Sequence, residues 1–573
     1  MLKLKKVFAL LVCAAMLFSV TSMALAADFT DVAADSSYKE AFDVLMESGV
    51  VKGVGNGRFS PDKTVTTAEL VTFLGRLAGA SIDTAATVDG VKADGWSNGY
   101  IVWAKQEGII ADQPQYQALS TDEVNAILHT FCALNGAKPV DVSAPTRGDV
   151  VVALHALEKA KGSALTGTQT VVMEGFDWGP AITKTIVTFD QPLSPDSVTK
   201  EGFCVTEKKE GFAGISTAER KVINAYTSDE KGNKVEGASK NVTLELSYDP
   251  NTGSPYFFDF AGTMQNRLAS PYNLIVSLTG SSALKTEAGE AVEQVAVGAV
   301  DLTEALCPQL EGVDLTGKYT GKDGKTLTYG SFEPKDDGNK HPLVIWLHGM
   351  GEGGTDPSVA LLGNKVTALL GEEFQTVMGG AYVLTPQTTG FWLSWDESNP
   401  DSWGDNPGKR SIYTDTLMEL IQDYVAKHTG IDTDRIYIGG CSNGGYMTMN
   451  MIFCYPDYFA AAYPICEAYK DAGITDELLT SIKDLPVWFV YAENDTTVKP
   501  EDYEAPTIER LKKIGGNIHT SVFDDVHDTT GLYTAEDGSP YQYMGHWSWL
   551  YFFNNECTDN GTNLWEWMAA QKK

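Results

Sequence analysis

The spacing of apolar positions divides the chain into three stretches. Over residues 28–163 apolar residues recur at helical intervals, in short runs broken by polar turns. Ala41, Val44 and Leu45 mark one helix. A second opens at Thr66 with Glu69 three residues on, the spacing of a capping box. Trp96, Tyr100, Ile101, Trp103 and Ala104 mark another, and Ser120-Thr121-Asp122-Glu123 opens one that runs through Leu134. A truncated copy starts at Pro145-Thr146-Arg147-Gly148-Asp149 and reaches about Ala160. Repeats of about 50 residues predict a small helical array whose units pack on one another. From about 166 to 303 the period changes. Strands at 185–189, 241–247 and 272–277, with turns such as Asp249-Pro250-Asn251, predict an antiparallel sandwich. From about 310 onward, apolar strands at 343–347, 382–384, 435–438, 487–491 and 518–523 alternate with helices at 412–427, 444–453 and 508–514. That alternation predicts a mostly parallel sheet covered by helices on both faces.

Ahead of these stretches, Lys3, Lys5 and Lys6 precede an apolar run from Val7 to about Val20, followed by Ala24-Leu25-Ala26. This is the layout of a secretory signal peptide cleaved near Ala26. The run falls short of the about 20 apolar residues a membrane span requires, and no later stretch supplies one. The expected protein is therefore exported, with no membrane attachment after cleavage. The boundaries read from the pattern are 1–26 for the signal, 27–163 for the repeats, 166–305 for the sandwich and 306–573 for the α/β domain.

Charge narrows the partners. Lys and Arg total 43 against 76 Asp and Glu, a formal charge of −33, and three of the lysines leave with the signal. So acidic a surface repels nucleic acid and anionic lipid. Seven cysteines lie beyond the signal: Cys132, Cys204, Cys307, Cys441, Cys454, Cys466 and Cys557. An odd number leaves at least one thiol unpaired or intermolecular. None stands in a C-x-x-C pair, and no His/Cys cluster has zinc spacing, so neither a metal nor a cofactor is expected.

The chemistry concentrates in the third stretch. Gly440-Cys441-Ser442-Asn443-Gly444 comes after a predicted strand and before a predicted helix, the strand-to-helix turn that thrusts a serine above a sheet. After strand 343–347 stands His348-Gly349-Met350-Gly351-Glu352-Gly353-Gly354, a turn whose amides can converge on a developing alkoxide. The expected donors are the N–H groups of Met350 and Asn443, and His348 reads as a loop imidazole bonding backbone. An orienting acid should stand after the fourth of these strands, 487–491, where Asp495 is the candidate and Glu493, closer to the strand, the alternative. The base is His546 or His527. His519 sits in a strand and reads as packing. Trp392, Trp395, Trp547 and Trp549 are candidates for an aromatic wall around an acyl or phenolic group, or else for core.

The motifs carry three resemblances. Val65-Thr66-Thr67-Ala68-Glu69, Leu119-Ser120-Thr121-Asp122-Glu123 and Pro145-Thr146-Arg147-Gly148-Asp149 resemble the helix openings of S-layer homology repeats. In that family an arginine and an acid at this point contribute to holding cell-wall polysaccharide, and here only the third copy keeps the arginine. The repeats are then a wall-polymer anchor or a degenerate spacer. Phe176-Asp177-Trp178-Gly179-Pro180 resembles the start of the immunoglobulin-like domain of secreted bacterial esterases. The run His348–Gly354, the elbow 440–445, Glu493-Asn494-Asp495 and Gly545-His546-Trp547-Ser548-Trp549 resemble the α/β-hydrolases related to polyhydroxybutyrate depolymerases and feruloyl esterases. That resemblance implies Ser442 as nucleophile, Asp495 as acid and His546 as base, acting on an ester, with plant and cell-wall polysaccharide esters among the candidates. A serine peptidase of the same fold, or a surface-binding protein with a decayed hydrolase domain, are the alternatives.

Overall fold

The capping box expected at Thr66 forms. Its Oγ1 accepts the Glu69 N–H at 3.3 Å, and Glu69 Oε2 accepts the Thr66 N–H at 3.1 Å. Ser120 and Glu123 repeat the exchange. The computed structural model describes residues 29–573 except 83–86, 89–90, 93–95, 112–114 and 400; the expected signal segment lies outside the described residues. The chain divides between Ala164 and Leu165 into two compact units.

Among the described residues the first unit holds five helices: α1 (Lys39–Glu47), α2 (Thr67–Ala78), α3 (Asn98–Gln106), α4 (Thr121–Leu134) and α5 (Arg147–Gly162). Their apolar faces meet in one core that includes Leu45, Phe59, Leu70, Leu74, Leu128 and Leu154. The three openings converge, since Thr66 bridges to Ala118 and Thr64 to Thr146. At that point Arg147 is only 2% exposed. Its guanidinium donates to Phe59 O at 2.8 Å, Glu69 Oε1 at 2.9 Å and Lys52 O at 2.8 Å, and lies over the Phe59 ring. Burial alone would raise the Glu69 carboxyl, but Lys63 and Arg147 together bring it below its usual value. The arginine read as part of a polysaccharide site is therefore an internal staple, its donors spent on carbonyls and a carboxylate of the first copy.

The second unit begins with ten strands. β1 (Leu165–Phe176), β2 (Gly179–Leu193), β3 (Phe203–Gly211), β4 (Gly214–Arg220), β5 (Val222–Ser228), β6 (Ser239–Leu246), β7 (Tyr256–Phe258), β8 (Asn266–Leu268), β9 (Tyr272–Leu278) and β10 (Val295–Val297) form a five-stranded sheet, β10-β1-β2-β6-β5, a three-stranded sheet, β9-β3-β4, and the ribbon β7-β8. The sandwich is antiparallel except at its edge, where β10 pairs with β1 in parallel. The Phe176–Pro180 segment is its seam with the α/β domain. Asp177, 5% exposed, pairs with Lys365 at 2.6 Å and accepts from Asn554 Nδ2 at 3.0 Å.

The rest is an eight-stranded sheet. β11 (Val313–Thr320), β12 (Thr326–Phe332), β13 (His341–Leu347), β14 (Tyr382–Thr388), β15 (Ile431–Cys441), β16 (Ala461–Ile465), β17 (Val487–Ala492) and β18 (Ile518–Phe523) stand in the order β11-β12-β14-β13-β15-β16-β17-β18. β11 and β12 are antiparallel additions, and every later pairing is parallel. β16, which the hydrophobic pattern did not predict, is a five-residue run without turn signals at its ends. Among the helices packed on the sheet are α6 (Pro357–Leu362), α7 (Glu372–Met378), α8 (Thr414–Lys427), α9 (Asn443–Cys454), α10 (Asp476–Ser481), α11 (Glu504–Lys513), α12 (Trp549–Phe553) and α13 (Leu564–Ala570). No described helix is long and apolar enough to cross a membrane.

Candidate active site

The C-terminal ends of β13, β15 and β17 carry the candidate groups. Register places Leu347 opposite Gly440, so the turns after β13 and β15 emerge side by side. Between β15 and α9 the chain reverses at Ser442, whose φ is 55° and ψ −115°. A non-glycine residue held there is strained, and such strain collects where the surrounding structure over-determines it. The fit is tight. A Cβ on Gly444 would stand 1.9 Å from Leu347 O, and one on Gly440 2.3 Å from it. Only glycine allows the helix and strand to come this close. Ser442 N–H donates to Ile465 O at 2.9 Å, tying the turn to β16.

Asn443 opens α9, and the N–H of a first helical residue finds no helical carbonyl. Its side chain is fully buried, and Oδ1 accepts the Leu393 N–H at 2.9 Å. Met350 stands in the turn Met350–Glu352, just beyond β13. His348 behaves as a structural imidazole, in line with the sequence. Fully buried, its Nδ1 lies 2.6 Å from Gly349 O and its Nε2 accepts the Thr388 N–H at 3.2 Å. Burial drives its pKa down to about 4, so the ring is a neutral strut.

Beyond β17, Asp495 is 4% exposed. Its Oδ1 accepts the N–H groups of Thr497 at 2.7 Å and Val498 at 2.9 Å, and Oδ2 lies 2.6 Å from His546 Nδ1. The loop bearing His546 rests on the acid turn: a Cβ on Gly545 would stand 2.6 Å from Asn494 O. The Trp549 ring meets the imidazole edge-on at 5.7 Å. The other candidates are placed elsewhere. Glu493 is exposed. His527 pairs with Asp525 at 2.6 Å, and His519 with Asp559 at 2.9 Å while stacked on Trp488.

The tryptophans separate. Trp392 is 0% exposed, packed between His348 and Tyr413. It belongs to the core rather than to a wall open to substrate, which corrects that part of the expectation. Trp395 and Trp547 are half-buried, and Trp547 stacks on Tyr543. All seven cysteines are free thiols. Among the described residues no group of three or more His, Cys, Asp or Glu side chains is placed to hold a metal ion. Two residues at the site carry no sequence signal of their own. Leu393, whose amide ties residues 391–394 to the elbow, is an apolar loop residue, and nothing in its type marks a backbone contact. Glu352 passes in the sequence for one more member of a glycine-rich turn.

Comparison with known proteins bears on the domains that hold these residues. Residues 333–531 match the phospholipase/carboxylesterase family, 168–294 the immunoglobulin-like N-terminal domain of esterases, and 28–71 the S-layer homology domain. The chain thus carries, in order, a stretch that matches the S-layer homology domain, one that matches an esterase immunoglobulin-like domain, and an α/β-hydrolase fold that matches the carboxylesterase family. Over 71% of its length it superposes on 99% of a thermostable esterase crystal structure, with a TM-score of 0.54 and 23% identity, a likeness of fold. A poly(3-hydroxybutyrate) depolymerase of Ralstonia pickettii is 29% identical over 22% of this chain and 25% of its own. Feruloyl esterase B of Thermothelomyces thermophilus is 32% identical over 14% and 27%. The surface-layer 125 kDa protein of Lysinibacillus sphaericus is 24% identical over 56% and 26%. The chain therefore spans about a quarter of the length of each of these three relatives.

Proposed function

We propose that the protein is a secreted serine ester hydrolase held at the bacterial cell wall. The observations that carry this reading are the 2.6 Å His546–Asp495 pair, its acid beyond β17, and the strained Ser442 turn at the end of β15 in the same sheet. In the proposed cycle His546 Nε2 takes the Ser442 proton as Oγ attacks the ester carbonyl. Asp495 holds the tautomer with hydrogen on Nδ1 and stabilises the imidazolium. The Met350 and Asn443 amides receive the alkoxide, each worth roughly 3–4 kcal/mol. The alcohol leaves with the proton from His546, and water, activated by the same base, releases the acid from the acyl-serine. No step calls on a cofactor. Hydroxyalkanoate polyesters and feruloyl esters are the substrates that the names of the depolymerase and feruloyl esterase relatives suggest, with Trp395 and Trp547 along the acyl path.

Anchoring is the second half of the proposal. With Arg147 consumed internally, the cleft lined by Lys63, Thr64, Thr66, Trp96 and Tyr116 is what the repeats offer a wall polymer. Trp96 and Tyr116 are 56% and 63% exposed there.

The test of activity compares an aryl ester with the matching anilide. Turnover of the ester with little of the anilide, both abolished in Ser442→Ala, supports the esterase. Comparable kcat/KM on the anilide would make the protein a peptidase, and no Ser442-dependent turnover of either would leave a binding scaffold.

A further inference from the structure

The loop carrying Met350 encloses a carboxyl group that the proposed cycle does not use. Glu352 is 6% exposed and closes the turn Met350–Glu352. Its carboxyl lies beneath the main chain of Gly349, where an added Cβ would stand 2.9 Å from Oε2. Oε1 is 3.4 Å from Asn266 Nδ2, on the β7-β8 ribbon of the sandwich. Glu352 O accepts from Gln387 Nε2 at 2.8 Å, fixing the same residue from β14. Among the described residues no lysine or arginine pairs with it, and a buried carboxylate without a cation is costly to ionise. Burial pushes this one up to about 7, against hydrogen bonds from Asn364, the Glu352 and Gly349 amides and Asn266.

The position gives the charge a consequence. An anion behind the Gly349–Met350 main chain opposes the negative charge that the Met350 amide must stabilise on the tetrahedral intermediate, in a site with little water to screen it. We propose that Glu352 is a positioning residue whose neutral form the oxyanion loop requires, so that its ionisation sets the alkaline limit of turnover. This rests on the hydrolase reading above.

The groups facing Glu352 do not compete for that role. Cys441, at the end of β15, is a buried thiol held well above its usual range, and Tyr256, at the start of the ribbon, is a phenol raised likewise. His348 is neutral down to about 4. Asn266, Asn364 and Gln387 carry no charge. Asp356 is exposed and caps Ser358.

The experiment is the pH dependence of kcat on an aryl ester from pH 5 to 9.5, for the wild type, Glu352→Gln and Asn266→Asp. The wild type should lose about fiftyfold between pH 7 and pH 9, and Glu352→Gln should lose almost none while keeping the acid limb. Asn266→Asp sets a second carboxylate against the first and should move the alkaline limb upward by about one pH unit. An unchanged limb in Glu352→Gln overturns the inference. Should that variant fail to fold, an unmoved limb in Asn266→Asp overturns it instead. Absence of Ser442-dependent hydrolysis at every pH overturns the hydrolase reading and this inference with it, whereas hydrolysis with unaltered limbs overturns the inference alone.

Discussion

Two neighbouring residues of the loop after β13 respond to pH in opposite senses. His348 is held down to about 4, so between that value and its ordinary 6.5 the unfolded chain takes a proton that the folded one refuses. Its contribution to stability is therefore lost as pH falls through that window. Glu352 is held up at about 7 against an ordinary 4.5, so the folded chain keeps a proton the unfolded one has shed, and stability is lost as pH rises from 4.5 to 7. Each shift corresponds to roughly 3 kcal/mol at full extent. Glu352→Gln should accordingly gain melting temperature over the wild type at pH 8 and much less at pH 4.5, measured by calorimetry at both. Equal differences at the two pH values would mean that the carboxyl ionises in the folded protein as freely as in water. The candidate base is tested at the same scale. His546→Ala should lower kcat on the order of 10⁴-fold or more, and His527→Ala should leave it nearly unchanged, since its acid partner is Asp525. A reversed ranking would move the triad to the other loop.

At the scale of elements, the sequence is most legible where a local rule and the tertiary fold agree. Thr66 and Glu69 form their box because both donors they satisfy belong to one helix start. Thr66→Ala should cost about 1 kcal/mol, read as a shift in the urea midpoint of the first unit. The elbow is legible for the same reason: Gly440, Ser442 and Gly444 encode one turn. Gly444→Ala would force Leu347 O away and should cost about 3 kcal/mol with loss of activity. What stays hidden depends on partners far along the chain. Arg147 looks like a surface arginine in its own helix, yet Phe59, Lys52 and Glu69 spend its donors from some 80 to 95 residues away. Its truncation to alanine would leave Glu69 to Lys63 alone and the Phe59 and Lys52 carbonyls without their donor, and should cost about 2–4 kcal/mol, where a surface arginine would cost almost nothing. Trp392 is illegible likewise, because a tryptophan in a loop near the site can line a pocket or fill a core. β16 escapes because a short apolar run carries no period of its own.

At the scale of the whole molecule, the sandwich and the hydrolase domain share a core and the Asp177–Lys365 seam, so residues 165–573 should unfold in one transition by two independent probes. The repeats form a unit of their own. Deleting residues 29–163 should release activity from wall preparations into the soluble fraction, and Trp96→Ala should weaken retention in part. Equal retention without the repeats would rule out anchoring through them. The proposed activity requires that Ser442 be an activated nucleophile. Its most direct measurement is reaction of the folded protein with a fluorophosphonate, with the modified peptide then mapped. An activated Ser442 should give one adduct, on Ser442, formed rapidly by the wild type, slowly by His546→Ala and not at all by Ser442→Ala. An adduct on another residue, or none from protein that is fully folded, would contradict it.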